Sequence, residues 1–239
     1  MLFQTDIYTK PANTENVYSD IAVKIHGAAM KAIPPDYSSK MHISAYHPFS
    51  IFTVPIEDRD IIRISALCND AKIIPDILSE KKSIRIYGMT KPLEFAEVEI
   101  SEPINAINAG EYLSKKGCRV TFITPAVIKT NGRFSAAPDI SSYFYSTICK
   151  YNEFENDNIS FDYFKDAFAE SFIGEYSLES VKYNVSGHAI PGMTGYFDIY
   201  FPENPVQNAV LRKVISYATY SGTGGKTSMG MGGIIAENI

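Results

Sequence analysis

Cysteine is scarce in this 239-residue chain and odd in number: Cys68, Cys118 and Cys149, with no Cys-x-x-Cys spacing. That argues against a disulfide framework and a cysteine-rich zinc site, and it favours a reducing cytoplasm as the location. Cys118 and Cys149 read as small buried apolar residues. Long hydrophobic runs are also missing. No apolar stretch approaches the roughly 20 residues needed to span a bilayer, so no membrane partner is expected. Residues 1–6 lack a basic segment leading into an apolar one, so no secretory signal peptide is expected. Collagen-like, coiled-coil and low-complexity patterns are absent. Histidine is limited to His26, His42, His47 and His188, and no Asp/Glu–His cluster at i, i+3 or i, i+4 spacing stands out as a metal site. Neither a metal nor another cofactor is expected.

What remains is an ordinary globular composition, with 45% hydrophobic and 21% charged residues, enough for one large or two small domains. The net charge of −5 argues mildly against a polyanion as partner. Its distribution changes that reading. Residues 151–180 hold one Lys/Arg against eight Asp/Glu, whereas residues 111–150 hold six against two. The acidic excess therefore sits in one segment, and a cationic surface elsewhere is compatible with the total.

The hydrophobic pattern divides into two similar halves. Residues 2–8 alternate as a strand does. A helix capped by Asn13 or Thr14 runs through Val17, Ile21, Ile25 and Ile33, and Pro34-Pro35 stops it. Strands follow at 41–46, 49–54 and 61–67, a short helix at 71–80, and strands at 83–87 and 93–100. After a boundary near 110–117 the order repeats. A strand spans 119–124, a helix 140–151 opens at Pro138-Asp139, and an acidic helix covers 162–172. Strands at 180–186 and 195–201 are separated by the breaker-rich residues 188–192. Asn204-Pro205 then starts a helix, and a strand at 229–235 closes the chain. The order β-α-β-β-α-β, twice, predicts an α+β protein of two tandem ferredoxin-like domains, residues 1–113 and 114–239.

The most informative segment joins the last helix to the last strand. Six glycines fall within residues 222–233, around Lys226, Thr227 and Ser228. Glycines let a backbone approach a bulky partner closely, loop N–H groups form concavities for phosphate, and Lys226 adds a charge. The segment therefore reads as a grip on a phosphate backbone. Gly225-Lys226-Thr227 looks like the end of a nucleotide-binding P-loop, but Tyr220 stands where that motif needs glycine and the strand-loop-helix order is reversed. A flexible tail would have few large apolar residues. Here Met229, Met231, Ile234 and Ile235 alternate like a strand.

At these residues the sequence resembles the CRISPR precursor-RNA processing endoribonucleases of the repeat-associated RAMP superfamily. Gly222-x-Gly224 followed by Gly230-Met231-Gly232 is similar to their C-terminal glycine-rich signature. Val120 through Lys129 resembles the opening strand of their second domain, and Pro191-Gly192-Met193-Thr194-Gly195-Tyr196 their G-x-x-G hairpin. The resemblance implies two ferredoxin-like domains. It also implies metal-independent cleavage of CRISPR repeat RNA, with a 2′,3′-cyclic phosphate and a 5′-OH as product ends. A non-catalytic RNA-binding subunit of the same superfamily is the alternative, and an unrelated ferredoxin-like protein binding an acidic small ligand is a third reading. Partners implied are the repeat RNA and, left open, other CRISPR-associated proteins or a second copy of the chain.

Cleavage by a 2′-OH needs a base, an acid and cations against the developing charge, and histidine suits both proton roles. By the resemblance, His42 occupies the place of the family histidine and ranks first. His26 on the first helix ranks second. His47 stands where the family often has a lysine, and Met30 where a tyrosine is common. Lys31 and Lys40 are candidate charge stabilisers. The assignment of base and acid stays open. Gly222, Gly224, Gly225, Lys226, Thr227, Ser228, Gly230, Gly232, Lys129 and Arg133 are the candidate RNA-binding residues. His188, in a Gly/Pro-rich stretch, reads as a turn residue, and Tyr143, Phe144, Ile148 and Tyr151 read as core.

Overall fold

The computed structural model describes residues 1–10, 21–43, 45–56, 59–89, 91–137, 139–155 and 157–239. Its first half contains β1 (Phe3–Thr9), α1 (Ile21–Ala32), α2 (Pro35–Ile43), β2 (Phe49–Ile56) and β3 (Arg59–Ala66). It continues through α3 (Ile73–Ser79), β4 (Ser83–Ile84) and β5 (Leu93–Ile100). The strands pair antiparallel in the order β2-β3-β1-β5-β4. Without the short edge strand β4 this is the arrangement of a ferredoxin-like motif, in which β1 is flanked by β3 and β5. The apolar positions of α1, Ile21, Ala22, Ile25 and Ala29, bury against Ile7, Ile62 and Ile64 of the sheet.

The second half repeats the plan. β6 (Gly117–Ala126) is followed by a hairpin of β7 (Ile128–Thr130) and β8 (Arg133–Ser135). Then come α4 (Ile140–Tyr143), α5 (Tyr145–Phe154), α6 (Phe161–Ala169), β9 (Phe172–Val185), β10 (His188–Tyr200), α7 (Pro205–Ser221) and β11 (Ile234–Asn238). The sheet order is β11-β6-β10-β9. One face, carrying Cys118, Val120, Phe122, Phe197 and Ile199, packs on Tyr143, Phe144, Ile148, Tyr151, Phe164 and Leu211 of the helices. The chain is therefore an α+β protein built from two ferredoxin-like units. Among the described residues no helix is long and apolar enough to cross a membrane.

Local chemistry explains several element ends. The Asn204 side chain accepts from the Val206 and Gln207 amides, and Pro205 follows in the first turn, where its missing N–H costs nothing. Asp139 caps α4, whereas Pro138 and the proposed caps Asn13 and Thr14 lie outside the described residues. Asn131 and Gly132 both have positive φ, the conformation a two-residue hairpin turn requires.

Several expectations are corrected. Residues 41–43 end helix α2 rather than begin a strand, because Pro35, unable to extend α1, opens a new helix as its first residue. The residues 188–192 lie inside β10 rather than between strands. The reversal is made one step earlier, at Ser186-Gly187, where both φ values are positive. The helix at 140–151 breaks at Phe144, and the strand at 83–87 shortens to β4. Met229 and Met231 precede the last strand, which starts at Ile234; residues 227–229 form a 3-10 turn. Cys118 is buried as expected, its thiol pushed up to about 12 by desolvation, but Cys149 is only half-buried.

The other face of the second sheet carries a bidentate pair. Arg119 Nε and Nη2 donate to the two Asp198 oxygens at 2.6 and 2.8 Å, and the guanidinium lies 4.2 Å from the Tyr196 ring centre. Donation from Arg119 holds the Asp198 carboxyl below its ordinary value. A depressed carboxylate contributes stability that is present above its unfolded value near 4 and is lost as pH falls through the folded one. Asp198→Asn is expected to cost about 1–3 kcal/mol at pH 7 and to remove this part of the acid sensitivity. Urea melts at pH 7 and pH 3 test it. A variant as acid-sensitive as the parent would contradict the assignment.

Candidate active site between the two halves

The glycine-rich segment is ordered, and its own hydrogen bonds show how. The amides of Thr223 and Gly224 donate to the carbonyls of Gly232 and Tyr143, at 2.8 Å each. The amides of Gly225 and Gly232 donate to Val127 and Pro125, at 2.7 and 2.9 Å. Gly233 N–H donates to Thr124 Oγ1 at 2.7 Å. The carbonyls are held from α5: Ser146 Oγ donates to Gly224 O at 2.6 Å, Thr147 Oγ1 to Gly222 O at 3.0 Å, and Lys150 Nζ to Ser221 O at 2.8 Å. Most of the loop is thereby buried. Lys226 at its tip is exposed, and Gly225 and Met229 are half-exposed. These bonded amides stiffen the loop rather than form an open concavity, and the charge it presents outward is Lys226.

The loop is wedged against the first half. Gly230 sits so close to α1 and β9 that an added Cβ would lie 2.4 Å from both Ala22 Cβ and the Tyr183 hydroxyl. Ser50 of β2 donates to the Tyr220 carbonyl at the end of α7. Packing on β2 and α1 brings the 3-10 turn at residues 227–229 to the chain entering β2, which carries His47. His47 Nδ1 and Ser228 Oγ are 2.7 Å apart. The His47 ring stacks on His26 at 6.0 Å between centroids and on Phe49 at 5.6 Å, with interplanar angles of 6° and 11°. His26 is buried on α1 and stacks on Phe49 at 5.7 Å.

Beside His47 lies a cleft of about 250 Å³, lined by residues 45–47, Ser146, Lys150 and residues 224–229. Complete burial pulls the Lys150 ammonium down to about 7. The Tyr46 phenol is pushed up to about 12, first by its side-chain contact with Cys149 and then by desolvation, so it stays protonated at neutral pH. The site thus offers an imidazole, two lysines and a hydroxyl-bearing loop around one opening. That set can move protons and hold an anionic group.

The expected residues separate into groups. His47, Gly224, Gly225, Lys226, Thr227 and Ser228 line the cleft; His26 stacks behind His47; Gly222, Gly230 and Gly232 shape the loop. Lys129 and Arg133 are exposed on the β7–β8 hairpin, whose base meets the loop where Val127 O accepts from Gly225. Lys31 is exposed in the last turn of α1, outside the cleft lining. His188 is exposed beside the Ser186-Gly187 turn. His42 lies on α2, and its side chain, like that of Lys40, falls outside the described positions. The sequence reading missed Lys150, Ser146 and Thr147. Their spacing of 146, 147 and 150 is a polar stripe on an otherwise core-forming helix, and that stripe was the available signal.

Residues 120–234, which hold the hairpin, α5 and the glycine loop, match the family model described as CRISPR-associated endoribonuclease Cas6. Over these residues the chain is similar to the Cas6 family. A Cas6 endoribonuclease of Streptococcus thermophilus is 26% identical over 230 residues, covering 91% of this chain and 92% of the relative. One of Mycobacterium tuberculosis is 24% identical over 224 residues, covering 90% and 71%. The fold superposes on a Thermus thermophilus Cas6 in a product complex with a TM-score of 0.80 at 16% identity, covering 99% of this chain and 100% of that one. His26, His42 and His47 precede the span matched by the Cas6 family model.

Proposed function

We propose that this chain is a Cas6-type endoribonuclease of CRISPR repeat RNA. A 2′-OH attacks the adjacent phosphate, without a metal ion, and leaves a 2′,3′-cyclic phosphate and a 5′-OH. The observation that carries this reading is the 2.7 Å contact between His47 and Ser228, which brings an imidazole of the first half onto the loop suited to hold the phosphate backbone. In this reading His47 carries a proton to or from the reacting oxygens. Lys226 faces the developing charge, and Lys129 and Arg133 hold RNA at the hairpin. Residues 1–113 supply the acid–base chemistry and residues 114–239 the grip. His42, on a helix ending shortly before His47, is the candidate for the second proton role, and His26 orients His47 by stacking. The reaction would run in the cytoplasm, where repeat transcripts are made.

The test is single-turnover cleavage of a repeat RNA by the purified chain in EDTA, with product ends analysed. Cleavage with cyclic phosphate ends is the expected result. RNA bound without any cleavage would replace this reading by that of a non-catalytic subunit, and no binding even at low salt, where phosphate contacts are strongest, would overturn both.

A further inference from the structure

Lys150 is the one lysine side chain buried to 5% exposure among the described residues. A buried ammonium is expensive unless its protons find acceptors. Here they find two, both in the loop: Ser221 O at 2.8 Å and Thr227 Oγ1 at 2.5 Å. These acceptors lie on either side of the stretch 222–226, so one side-chain nitrogen ties the entry of the loop to its exit. Thr227 is bonded in sequence to Ser228, whose hydroxyl contacts His47. Both lie in the same short 3-10 turn, so the position of one hydroxyl limits that of the other.

We propose that Lys150 is a positioning residue of the cleft: by clamping Ser221 to Thr227 it sets the turn that places Ser228 against the His47 imidazole. The inference rests on the nuclease reading above, and it adds a residue from a helix of the second half whose ammonium donates to Ser221 and Thr227 of the loop. Its neighbours support a role of this kind. Ser146 and Thr147, on the same helix face, hold Gly224 O and Gly222 O. Every hydroxyl or ammonium that α5 sends toward the loop thus ends on a loop acceptor. Displacing a reacting group by about 1 Å costs on the order of 100-fold in rate, so a loosened turn should be felt in chemistry more than in binding.

The experiment compares the full chain with Lys150→Met, Lys150→Gln and Thr227→Val on a synthetic repeat RNA, measuring the saturating single-turnover rate and the RNA affinity separately. Lys150→Met is expected to lower the rate by about 10–100-fold and to change the affinity by less than about threefold. Lys150→Gln, which keeps donors for both acceptors, should recover most of the rate. Thr227→Val removes the far acceptor without altering the buried helix position. It should reproduce the loss, and the double variant Lys150→Met with Thr227→Val should be no worse than either, as expected for two groups acting through one bond. Equal rates in the parent, Lys150→Met and Thr227→Val would overturn the proposal while leaving the nuclease reading intact. A parent that binds but never cleaves would instead remove the nuclease reading itself. Should Lys150→Met fail to fold, Thr227→Val alone decides, because a near-isosteric change of a loop side chain tests the same bond.

Discussion

Replacing His47 by alanine is expected to lower the single-turnover rate of repeat-RNA cleavage by about 10²–10⁴-fold, the usual size of a general acid–base contribution, while RNA affinity stays within a few fold. The expectation follows from geometry. His47 is half-exposed, so a substrate can reach it, and its Nδ1 is 2.7 Å from Ser228 Oγ. That contact, with near-parallel stacking on His26 and Phe49, fixes the ring. His26→Ala should act differently. Its ring is buried behind His47, so its loss removes a stacking support and leaves a cavity, costing stability as well as rate. His42→Ala, ranked first from the sequence, is the informative comparison. Rates measured for the three variants on one RNA, with binding measured alongside, assign the roles. If His47→Ala cleaves like the parent, the imidazole at the loop is structural and the reading built on it fails.

Gly232→Ala is expected to destabilise the protein by about 3–5 kcal/mol and to abolish tight RNA binding. Gly232 has φ +72, and an added Cβ would lie 1.9 Å from the carbonyl oxygen of Thr223. Neither group can yield cheaply: the Gly232 carbonyl accepts from Thr223 N–H and the Gly232 N–H donates to Pro125 O. A methyl there must break the pairing that closes the loop. Gly225→Ala is the control. An added Cβ at Gly225 would meet only Val127, at 3.7 Å, an ordinary contact, so this change should stay within about 0.5 kcal/mol. Urea titration of both variants checks the contrast, and equal stabilities would mean that the loop is not the packed wedge described here.

Much of this architecture was legible residue by residue. The pair Asn204-Pro205 marks the start of α7 correctly because a cap and a first-turn proline are local signals. The stripe Tyr143, Phe144, Ile148 and Tyr151 was read as core and is buried throughout. Residues 41–43 and 188–192 were judged by short-range alternation or by breakers, yet the first continue a helix begun by Pro35 and the second are held extended by pairing with Lys182, Val181 and neighbouring residues of β9. A proline-started helix outweighed the alternation in the first place, and tertiary pairing outweighed the breakers in the second.

The site divides in the same way. Composition, spacing and the glycine cluster determined from the sequence that this is a two-unit α+β chain with a glycine-rich loop before its last strand, because those properties depend on neighbours along the chain. That His47 meets Ser228, that His26 backs it, and that Lys150 reaches across to Thr227 was decided only by the fold. These contacts join residues 181, 21 and 77 positions apart, and a distance across space has no signature in a one-dimensional pattern until the two sheets are packed around one loop.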